Sequence, residues 1–154
     1  MTAVETRYAV PGWGAGELWR SDGVVAWNEF RFGAVSGATD GDDELVARFH
    51  AFLAGDADDF ADVEIDLGWA TPFQRDLAEA LRAVPRGDVV SYGELAALAG
   101  RPGAARAAGA FCAANRYAFV VPCHRVVSAT GIGGYGSAGV EVKRRLLALE
   151  GVSL

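Results

Sequence analysis

Two helix starts and one Gly/Pro turn constrain the fold of this chain more than any other feature of its sequence. Thr71-Pro72-Phe73-Gln74 and Ser91-Tyr92-Gly93-Glu94 are capping boxes, whose first and fourth residues bind each other's backbone N–H groups. The first predicts an amphipathic helix over residues 72–84, and the second opens a short helix. Arg101-Pro102-Gly103 then forms a tight turn before another helix over 104–114. Two short helices joined in this way predict a helix-turn-helix.

The first seventy residues have the pattern of an antiparallel sheet followed by a helix. Three short segments rich in aromatic and β-branched residues are separated by Gly, Pro and Asp, and they predict a three-stranded meander: residues 7–10, 17–20 and 24–27. A Gly/Asp/Ser loop over 33–43 precedes a helix, opened by Asp42 or Asp43, that runs to about Leu53. Alternation over residues 63–67 predicts a further strand.

The last third of the chain combines an apolar segment, a Gly-rich loop and a helix. Phe119-Val120-Val121 is interpreted as a buried strand or strand end that leads into residues 122–127. Five glycines follow within residues 128–139, and an amphipathic helix covers about 141–149. We divide the chain into an N-terminal α/β domain over residues 1–70 and a C-terminal domain over 71–154.

Charge is distributed unevenly along the chain. Residues 1–81 contain five basic and sixteen acidic residues, a net charge of −11, whereas residues 82–154 contain nine basic and four acidic residues, a net charge of +5. Such asymmetry is typical of a protein with a surface that faces a polyanion, although two solvated faces would give the same counts.

Cysteine and histidine are too few for a structural zinc site or a disulfide framework. The two cysteines, Cys112 and Cys123, and the two histidines, His50 and His124, include no C-x-x-C pair. Residues 1–10 lack the continuous apolar stretch of a secretory signal, and no apolar run approaches a membrane span. We therefore expect a cytoplasmic protein with reduced thiols and with no metal, other cofactor or membrane contact.

Cys123 is the strongest candidate nucleophile, because it lies between an apolar segment and a Gly-rich loop. Its thiolate would be the reactive form, which a neighbouring cation favours. Because adjacent side chains of an extended backbone point to opposite faces, we expect His124 to reach Cys123 only through a turn or a bridging water. Glu150 could orient His124 as a third member. Cys112, inside a helix among Ala and Phe, is assigned to the core.

The Gly-rich loop does not have the sequence of a phosphate-binding loop. It lacks a G-K-[ST] ending and the strand, G-x-G-x-x-G, helix order of nucleotide-binding motifs. We therefore expect its glycines to let the backbone approach a ligand closely.

Residues 72–151 resemble the C-terminal domain of the O6-alkylguanine-DNA alkyltransferases (methylated-DNA–protein-cysteine methyltransferases). The matching segments occur in family order: Ser91–Ala96, Ala104–Gly109, Asn115, Pro122–Val127, Gly134-Tyr135, Lys143, Leu146-Leu147 and Glu150-Gly151. Residues 1–70 match only through their layout of strands and a helix. The resemblance implies an α/β fold, in which a small N-terminal antiparallel sheet plus helix (ribonuclease-like) packs on a C-terminal helix-turn-helix (winged-helix-like) active-site domain.

The resemblance also implies a DNA repair activity that each molecule performs once. The protein would flip O6-alkylguanine out of the duplex and accept its alkyl group irreversibly on Cys123. His124 would act as a base through a water and would be oriented by Glu150. Asn115 would brace the active-site turn, and Tyr92 would donate a proton towards the departing guanine.

The same resemblance implies two groups of binding residues. Arg106 would enter the base stack vacated by the flipped nucleotide, and its helix would lie in the minor groove. The implied DNA contacts are Ser91, Ala104, Ala105, Arg106, Ala107, Gly109 and Arg125. The implied substrate pocket consists of Val126, Gly134, Tyr135, Gly136 and Ser137. The protein would act as a monomer on double-stranded DNA that contains O6-alkylguanine.

Two departures from the family pattern and three other interpretations accompany this resemblance. Arg116 stands where the family usually has Pro, and Tyr135 is displaced by about one position.

An alkyltransferase-like protein would bind lesions without repairing them, but such proteins lack the acceptor cysteine. A Cys-His-Glu thiol hydrolase would need an oxyanion hole and turnover. A transcription regulator would use the helix-turn-helix and leave the Cys123 motif unexplained.

Overall fold

The structure, a computed structural model, describes residues 3–34 and 43–154 and divides into two compact units. Unit 1 comprises Met1–Asp66 and Arg116–Val120, and unit 2 comprises Leu67–Asn115 and Val121–Leu154. The predicted division after residue 70 differs from this in two respects. The first segment of unit 1 ends four residues earlier, and unit 1 regains a short segment, 116–120, that the prediction placed in the C-terminal domain.

Unit 1 is built on a three-stranded antiparallel sheet in the order β1-β2-β3. Its strands are β1 (Val4–Val10), β2 (Gly14–Ser21) and β3 (Val24–Phe32). The predicted meander is confirmed, with strands longer than the predicted ones because alternate side chains reach the core along most of their length. Leu18, for example, is fully buried and pairs with Thr6 on one side and Asn28 on the other.

One helix of unit 1 packs its apolar stripe into an aromatic core. The helix α1 (Glu44–Leu53) begins after Asp43, whose carboxylate accepts a hydrogen bond from the Leu45 N–H at 2.8 Å. The Phe119 ring lies 5.5 Å from that of Phe49 and 5.1 Å from that of Phe30. The predicted helix is confirmed; of the predicted loop before it, residues 35–42 lie outside the described residues.

Two predicted strands are wrong. Residues 63–67 form a single bridge, in which Ile65 pairs with Val25, because only the Glu64 carbonyl and the Asp66 N–H bond to the sheet. Residues 119–121 form a turn, since the Ala118 carbonyl accepts bonds from both the Val120 N–H and the Asn28 amide.

Unit 2 contains the helices that the capping boxes predict. Its elements are α2 (Pro72–Arg82), β4 (Val90–Ser91), α3 (Tyr92–Leu98), α4 (Ala105–Ala113), a 3₁₀ turn (Cys123–Arg125), β5 (Val126–Val127) and α5 (Val140–Leu149). Both capping boxes are formed at the starts of α2 and α3. The short strands β4 and β5 pair in parallel, with Val90 opposite Val126. Together the two units give the mixed α/β structure that was predicted.

A tight turn connects the helices α3 and α4. Gly100 and Gly103 both have φ of +91°, a backbone conformation that residues with a Cβ adopt at a cost. The sequence therefore ends α3 sharply and starts α4 after it, as the helix-turn-helix pattern predicts. Within the described part of the chain, no helix has the length and apolar content needed to cross a bilayer.

Candidate active site

Cys123 opens the 3₁₀ turn and is 5% exposed. Its backbone N–H donates to the Val121 carbonyl at 2.8 Å, and the Asn115 side-chain amide donates to the same oxygen at 2.9 Å. Asn115 therefore holds the backbone that carries Cys123, although Arg116 replaces the proline expected after it. The predicted bracing contact is present in the structure as a hydrogen bond to the main chain.

The backbone at Cys123 and His124 is helical and not extended, which corrects the premise used to place these side chains. The Arg125 N–H donates to the Pro122 carbonyl at 3.0 Å and closes the turn. Pro122 and the three residues after it contain no periodic pattern of apolar residues, so the sequence offered no sign of this turn.

His124 and Glu150 lie together inside unit 2. His124 Nε2 is 3.1 Å from Glu150 Oε1, and both side chains are almost completely buried. Burial alone would raise the pKa of Glu150, but hydrogen bonds from Arg125 and His124 lower it to about 2. Burial lowers the pKa of His124 more than the nearby carboxylate raises it. At neutral pH the site therefore holds an ionised Glu150 beside a neutral imidazole.

Arg125 is the buried partner of Glu150, and the prediction that it contacts DNA is wrong. Its Nε and Nη2 donate to the two carboxylate oxygens at 2.9 and 2.7 Å, and Nη1 donates to the Val84 carbonyl at 2.8 Å. With 3% of its surface exposed, Arg125 has no face left for a phosphate. The arginine instead neutralises a buried carboxylate through a bidentate pair.

A cleft of about 120 Å³ lies against Cys123. It is lined by Tyr92, Gly109, Cys112, Ala113, Cys123, Gly134, Tyr135 and Gly136. Ala113, Gly134 and Gly136 are exposed, so the cleft opens to solvent. Its volume equals that of roughly four molecules of liquid water, at about 30 Å³ each. The Cys123 sulfur, although buried, therefore faces a space that a ligand can enter.

The cleft includes some of the predicted pocket residues and excludes others. Gly134, Tyr135 and Gly136 line it as predicted, whereas Val126 and Ser137 do not. Val126 is wrong because its side chain is fully buried in β5, and Ser137 is an exposed residue of the loop.

Gly109, a predicted DNA contact, also lines the cleft. It is half-buried, and a Cβ built on it would lie 3.8 Å from the Tyr92 ring. Gly109 thus has a place in the cleft wall, and its DNA contact stays a prediction.

Cys112 belongs to this cleft, and its assignment to the core is wrong. The residue is half-buried on α4 and lines the same space as Cys123. The neighbouring Cys112 thiol and burial raise the pKa of the Cys123 thiol, while the Lys143 charge acts in the opposite direction. A helical cysteine among Ala and Phe has an apolar sequence context, which is why the residues alone did not indicate this position.

Lys143 is a functional candidate to which the sequence gave no role. Its fully buried ammonium donates to the carbonyls of Val126 at 2.5 Å and Gly134 at 2.9 Å. It also lies 5.8 Å from the centre of the Tyr92 ring. Burial lowers the pKa of Lys143, and the two cysteines raise it. Lys143 thus connects the Gly-rich loop to α5 and places a cation near the Cys123 sulfur.

Tyr92 stands at the start of α3, beside the loop. Its hydroxyl donates to the Gly134 carbonyl at 3.4 Å, and burial raises its pKa above the ordinary value. The phenol is therefore protonated at neutral pH, and its single proton can turn from the Gly134 carbonyl towards a ligand in the cleft.

Gly133 is expected to tolerate no larger residue. It has φ of +75°, and a Cβ on it would lie 3.0 Å from the Ser128 nitrogen and 3.2 Å from the Tyr92 hydroxyl. Gly133→Ala should lower the free energy of unfolding by about 1–3 kcal/mol and change the rate at which Cys123 reacts with a soluble disulfide. Gly131→Ala in the same loop is the control, because its Cβ would meet only ordinary contacts. Equal effects of the two variants would contradict this interpretation.

The predicted DNA contacts on α4 lie at its exposed start. Arg106 and Ala107 are exposed, and Ala104 and Ala105 are half-buried. No side chain caps this end of α4, because the N-cap residue is Ala104. Ser91 differs from them, since its hydroxyl accepts the Glu94 N–H bond at 3.0 Å and serves as the cap of α3.

Two curated relatives of this chain share one name. A methylated-DNA--protein-cysteine methyltransferase of Mycobacterium bovis is 46% identical over 119 residues, which cover 77% of this chain and 66% of that protein. One of Salmonella typhimurium is 55% identical over 85 residues, covering 54% of this chain and 49% of that protein. The chain therefore spans about half to two thirds of the length of these relatives.

Solved structures extend the similarity over almost the whole chain. The crystal structure of Mycobacterium tuberculosis OGT in complex with DNA matches with a TM-score of 0.79 and 36% identity, covering 95% of this chain and 92% of that one. The O6-methylguanine-DNA methyltransferase from Pyrococcus kodakaraensis matches with a TM-score of 0.72 and 29% identity, covering 98% of this chain and 100% of that one.

A family model described as "6-O-methylguanine DNA methyltransferase, DNA binding domain" matches residues 72–152, just over half of the chain. The matched range contains Cys123, the cleft beside it and the helix-turn-helix. This match agrees with the resemblance in the sequence and with the related proteins and structures. The chain therefore belongs to the 6-O-methylguanine DNA methyltransferase family.

Proposed function

We propose that this protein repairs DNA by moving the alkyl group of O6-alkylguanine to its own Cys123, once per molecule. The relatives named methylated-DNA--protein-cysteine methyltransferases and the related structure bound to DNA support this activity. The observation that carries the proposal is that Cys123 and Tyr92 line one solvent-open cleft. A nucleophile and a proton donor are thereby available to the same ligand.

The transfer is a single displacement at a saturated carbon. The Cys123 sulfur attacks the alkyl carbon, a sulfur–carbon bond forms, and the bond between that carbon and guanine O6 breaks. The thiol proton ends on the guanine, so atoms and charges balance. A polarisable thiolate suits a saturated carbon, and no oxyanion develops that would need backbone donors. The resulting thioether has no good leaving group, and each molecule therefore reacts once.

Buried charges around the cleft divide the proton transfers between two residues. The Lys143 cation favours the Cys123 thiolate, against the burial that raises the pKa of this thiol. His124, neutral and paired with Glu150, accepts the thiol proton through a water, and the Glu150 carboxylate stabilises the resulting imidazolium. Tyr92, protonated at neutral pH, donates towards the departing guanine and is reprotonated by the proton that His124 took up, so that the thiol proton is in net terms passed to the guanine.

The DNA reaches this cleft with the damaged nucleotide rotated out of the stack. O6 of a paired guanine is inaccessible to a protein nucleophile, so extrusion at a cost of a few kcal/mol must precede transfer. Arg106, exposed at the start of α4, fills the vacated position in the stack. The uncapped N–H groups of α4 and the small residues Ala104, Ala105 and Ala107 let the helix approach the sugar–phosphate backbone in the minor groove.

The proposal extends to the fold type of each unit, the oligomeric state and the cellular compartment. Three antiparallel strands followed by a helix support a ribonuclease-like N-terminal unit. The helices α3 and α4 with the short β4–β5 pair support a winged-helix-like C-terminal unit. The protein is proposed to act as a monomer in the cytoplasm, where its two thiols stay reduced.

One assay tests the proposed activity. The protein is incubated with a duplex oligonucleotide containing O6-methylguanine, and the intact protein and its peptides are then weighed. We expect one methyl group per molecule on the peptide that contains Cys123, and none on Cys123→Ala. Repeated turnover with unmodified protein would favour a Cys-His-Glu thiol hydrolase. Tight binding without transfer would favour a lesion-binding protein, and equal affinity for undamaged duplexes without transfer would favour a transcription regulator.

A further inference from the structure

The alkyl acceptor has a second thiol beside it. Cys112, in the last turn of α4, lines the same cleft as Cys123, and its thiol is close enough to affect the pKa of the Cys123 thiol. They lie eleven positions apart in the chain, on two elements of one compact unit. Both cysteines are free thiols in this structure. We propose that Cys112 and Cys123 are the site of a reversible disulfide that forms when a hydroperoxide enters the cleft.

The surroundings of the two cysteines favour such a bond over damage to a single thiol. Cys112 is the more accessible of the two, since it is half-buried whereas Cys123 is 5% exposed. Exposed Ala113 and Gly136 at the margin of the cleft leave an entry for a small oxidant. A sulfur oxidised at Cys112 then meets the Cys123 thiol before it meets a second oxidant molecule.

Local backbone structure allows the two sulfurs to approach. A disulfide needs an S–S distance of about 2.05 Å, so the two thiols that share the cleft must move closer together to form it. Cys112 is the penultimate residue of α4, and Cys123 is the first residue of a single 3₁₀ turn. Helix ends and single turns adjust more easily than helix interiors, because fewer backbone hydrogen bonds must change.

The proposed oxidation balances in two steps. The Cys112 thiolate attacks the terminal oxygen of the hydroperoxide and the O–O bond breaks, so that Cys112 becomes a sulfenic acid; the alkoxide that leaves (hydroxide, for hydrogen peroxide) takes up the proton lost by the Cys112 thiol. The Cys123 thiolate then attacks the Cys112 sulfur and expels hydroxide as the S–S bond forms, and this hydroxide takes up the proton lost by the Cys123 thiol and leaves as water. Two thiols have been oxidised and one hydroperoxide reduced. A dithiol reductant reverses the bond by thiol–disulfide exchange.

The consequence for repair rests on the proposed function. With its sulfur in a disulfide, Cys123 has no thiolate to attack an alkyl carbon, so the oxidised protein accepts no alkyl group. Reduction returns the acceptor unchanged, whereas oxidation of an isolated cysteine to the sulfinic acid would destroy it permanently. Each molecule reacts only once, and the Cys112 thiol thus protects its Cys123 from irreversible oxidation before the protein binds damaged DNA.

The disulfide itself is tested without any alkyl transfer. The protein is treated with hydrogen peroxide, its thiols are counted, and peptides are mapped without reduction. We expect the loss of both thiols, an intact mass lower by two hydrogen atoms, and one linked peptide pair containing Cys112 and Cys123. Dithiothreitol should restore both thiols. A gain of oxygen at Cys123 without a linked pair would overturn the proposal, whatever the repair assay shows.

A second measurement connects the bond to repair. Wild-type protein and Cys112→Ser are each oxidised, treated with dithiothreitol, and compared with their own untreated samples in methyl transfer. We expect wild type to regain most of its transfer, and Cys112→Ser to regain less than a tenth of its own starting level. Equal recovery in the two proteins would overturn the proposal. If neither transfers methyl groups before oxidation, the repair function fails while the peptide map still decides the disulfide.

Discussion

Arg125→Ala is expected to lower the free energy of unfolding by about 3–5 kcal/mol, the usual cost of removing one member of a buried ion pair. The Glu150 side chain is fully buried, and the contacts described above pair its carboxylate with Arg125 and His124. Of these two partners, the variant keeps only His124. It also removes the donor to the Val84 carbonyl. Urea denaturation at neutral pH, followed by the fluorescence of the four tryptophans, measures the loss.

Lowering the pH tests the same ion pair, because it protonates Glu150. Because the folded protein holds the pKa of Glu150 at about 2 instead of 4.5, the carboxylate contributes stability that is fully present above pH 4.5 and is lost as the pH falls towards 2. Without Arg125, burial is opposed only by His124, so the pKa of Glu150 rises. We therefore expect Arg125→Ala to unfold at a higher pH than wild type during acidification.

A matched variant separates the loss of a buried ion pair from the loss of one positive charge. Arg144 pairs with Glu141 on the exposed surface of α5, so Arg144→Ala removes the same charge and should cost less than about 1 kcal/mol. If Arg125→Ala instead leaves stability unchanged and weakens binding to duplex DNA, Arg125 is a DNA contact after all, and the buried pair described here contributes little.

Local signals in the sequence were sufficient for the helices of this protein. A capping box binds residues only three positions apart, so Thr71 and Ser91 mark the starts of α2 and α3 whatever the rest of the chain does. The three strands of unit 1 follow equally from local alternation and turn residues. The position of Cys123 between an apolar segment and a Gly-rich loop had already indicated the nucleophile, and the resemblance to a known family then located Tyr92 and Asn115.

Contacts between distant residues explain what the sequence could not show. Arg125 precedes its partner Glu150 by 25 positions, and a motif that reads Cys-His-Arg gives no sign that one of these residues points away from the ligand. Lys143 lies on a helix where a lysine is ordinarily solvated, and its burial depends on two carbonyls of other segments. Cys112 is part of the cleft only because α4 ends beside the Cys123 turn.

Arg106→Ala is expected to slow methyl transfer from duplex DNA by about 10- to 100-fold. This range corresponds to about 1.4–2.8 kcal/mol, part of the few kcal/mol that extrusion of a nucleotide costs. Arg106 is exposed at the second position of α4, outside the residues that line the cleft, so its loss should leave the chemistry at Cys123 intact. Single-turnover rates with a duplex and with free O6-benzylguanine distinguish the two effects, because only the duplex requires flipping.

Arg101, a neighbouring arginine in the same unit, provides the control for the positive charge that Arg106→Ala removes. Arg101 is exposed in the turn before α4, with its guanidinium 4.8 Å from the centre of the Phe73 ring. Arg101→Ala removes one positive charge, and it should weaken duplex binding mainly at low salt, with a transfer rate at saturating duplex close to that of wild type. Arg106→Ala should stay slow at saturating duplex, because the missing side chain acts after binding. Equal losses on duplex and free base would remove Arg106 from the base stack and place its effect in the cleft.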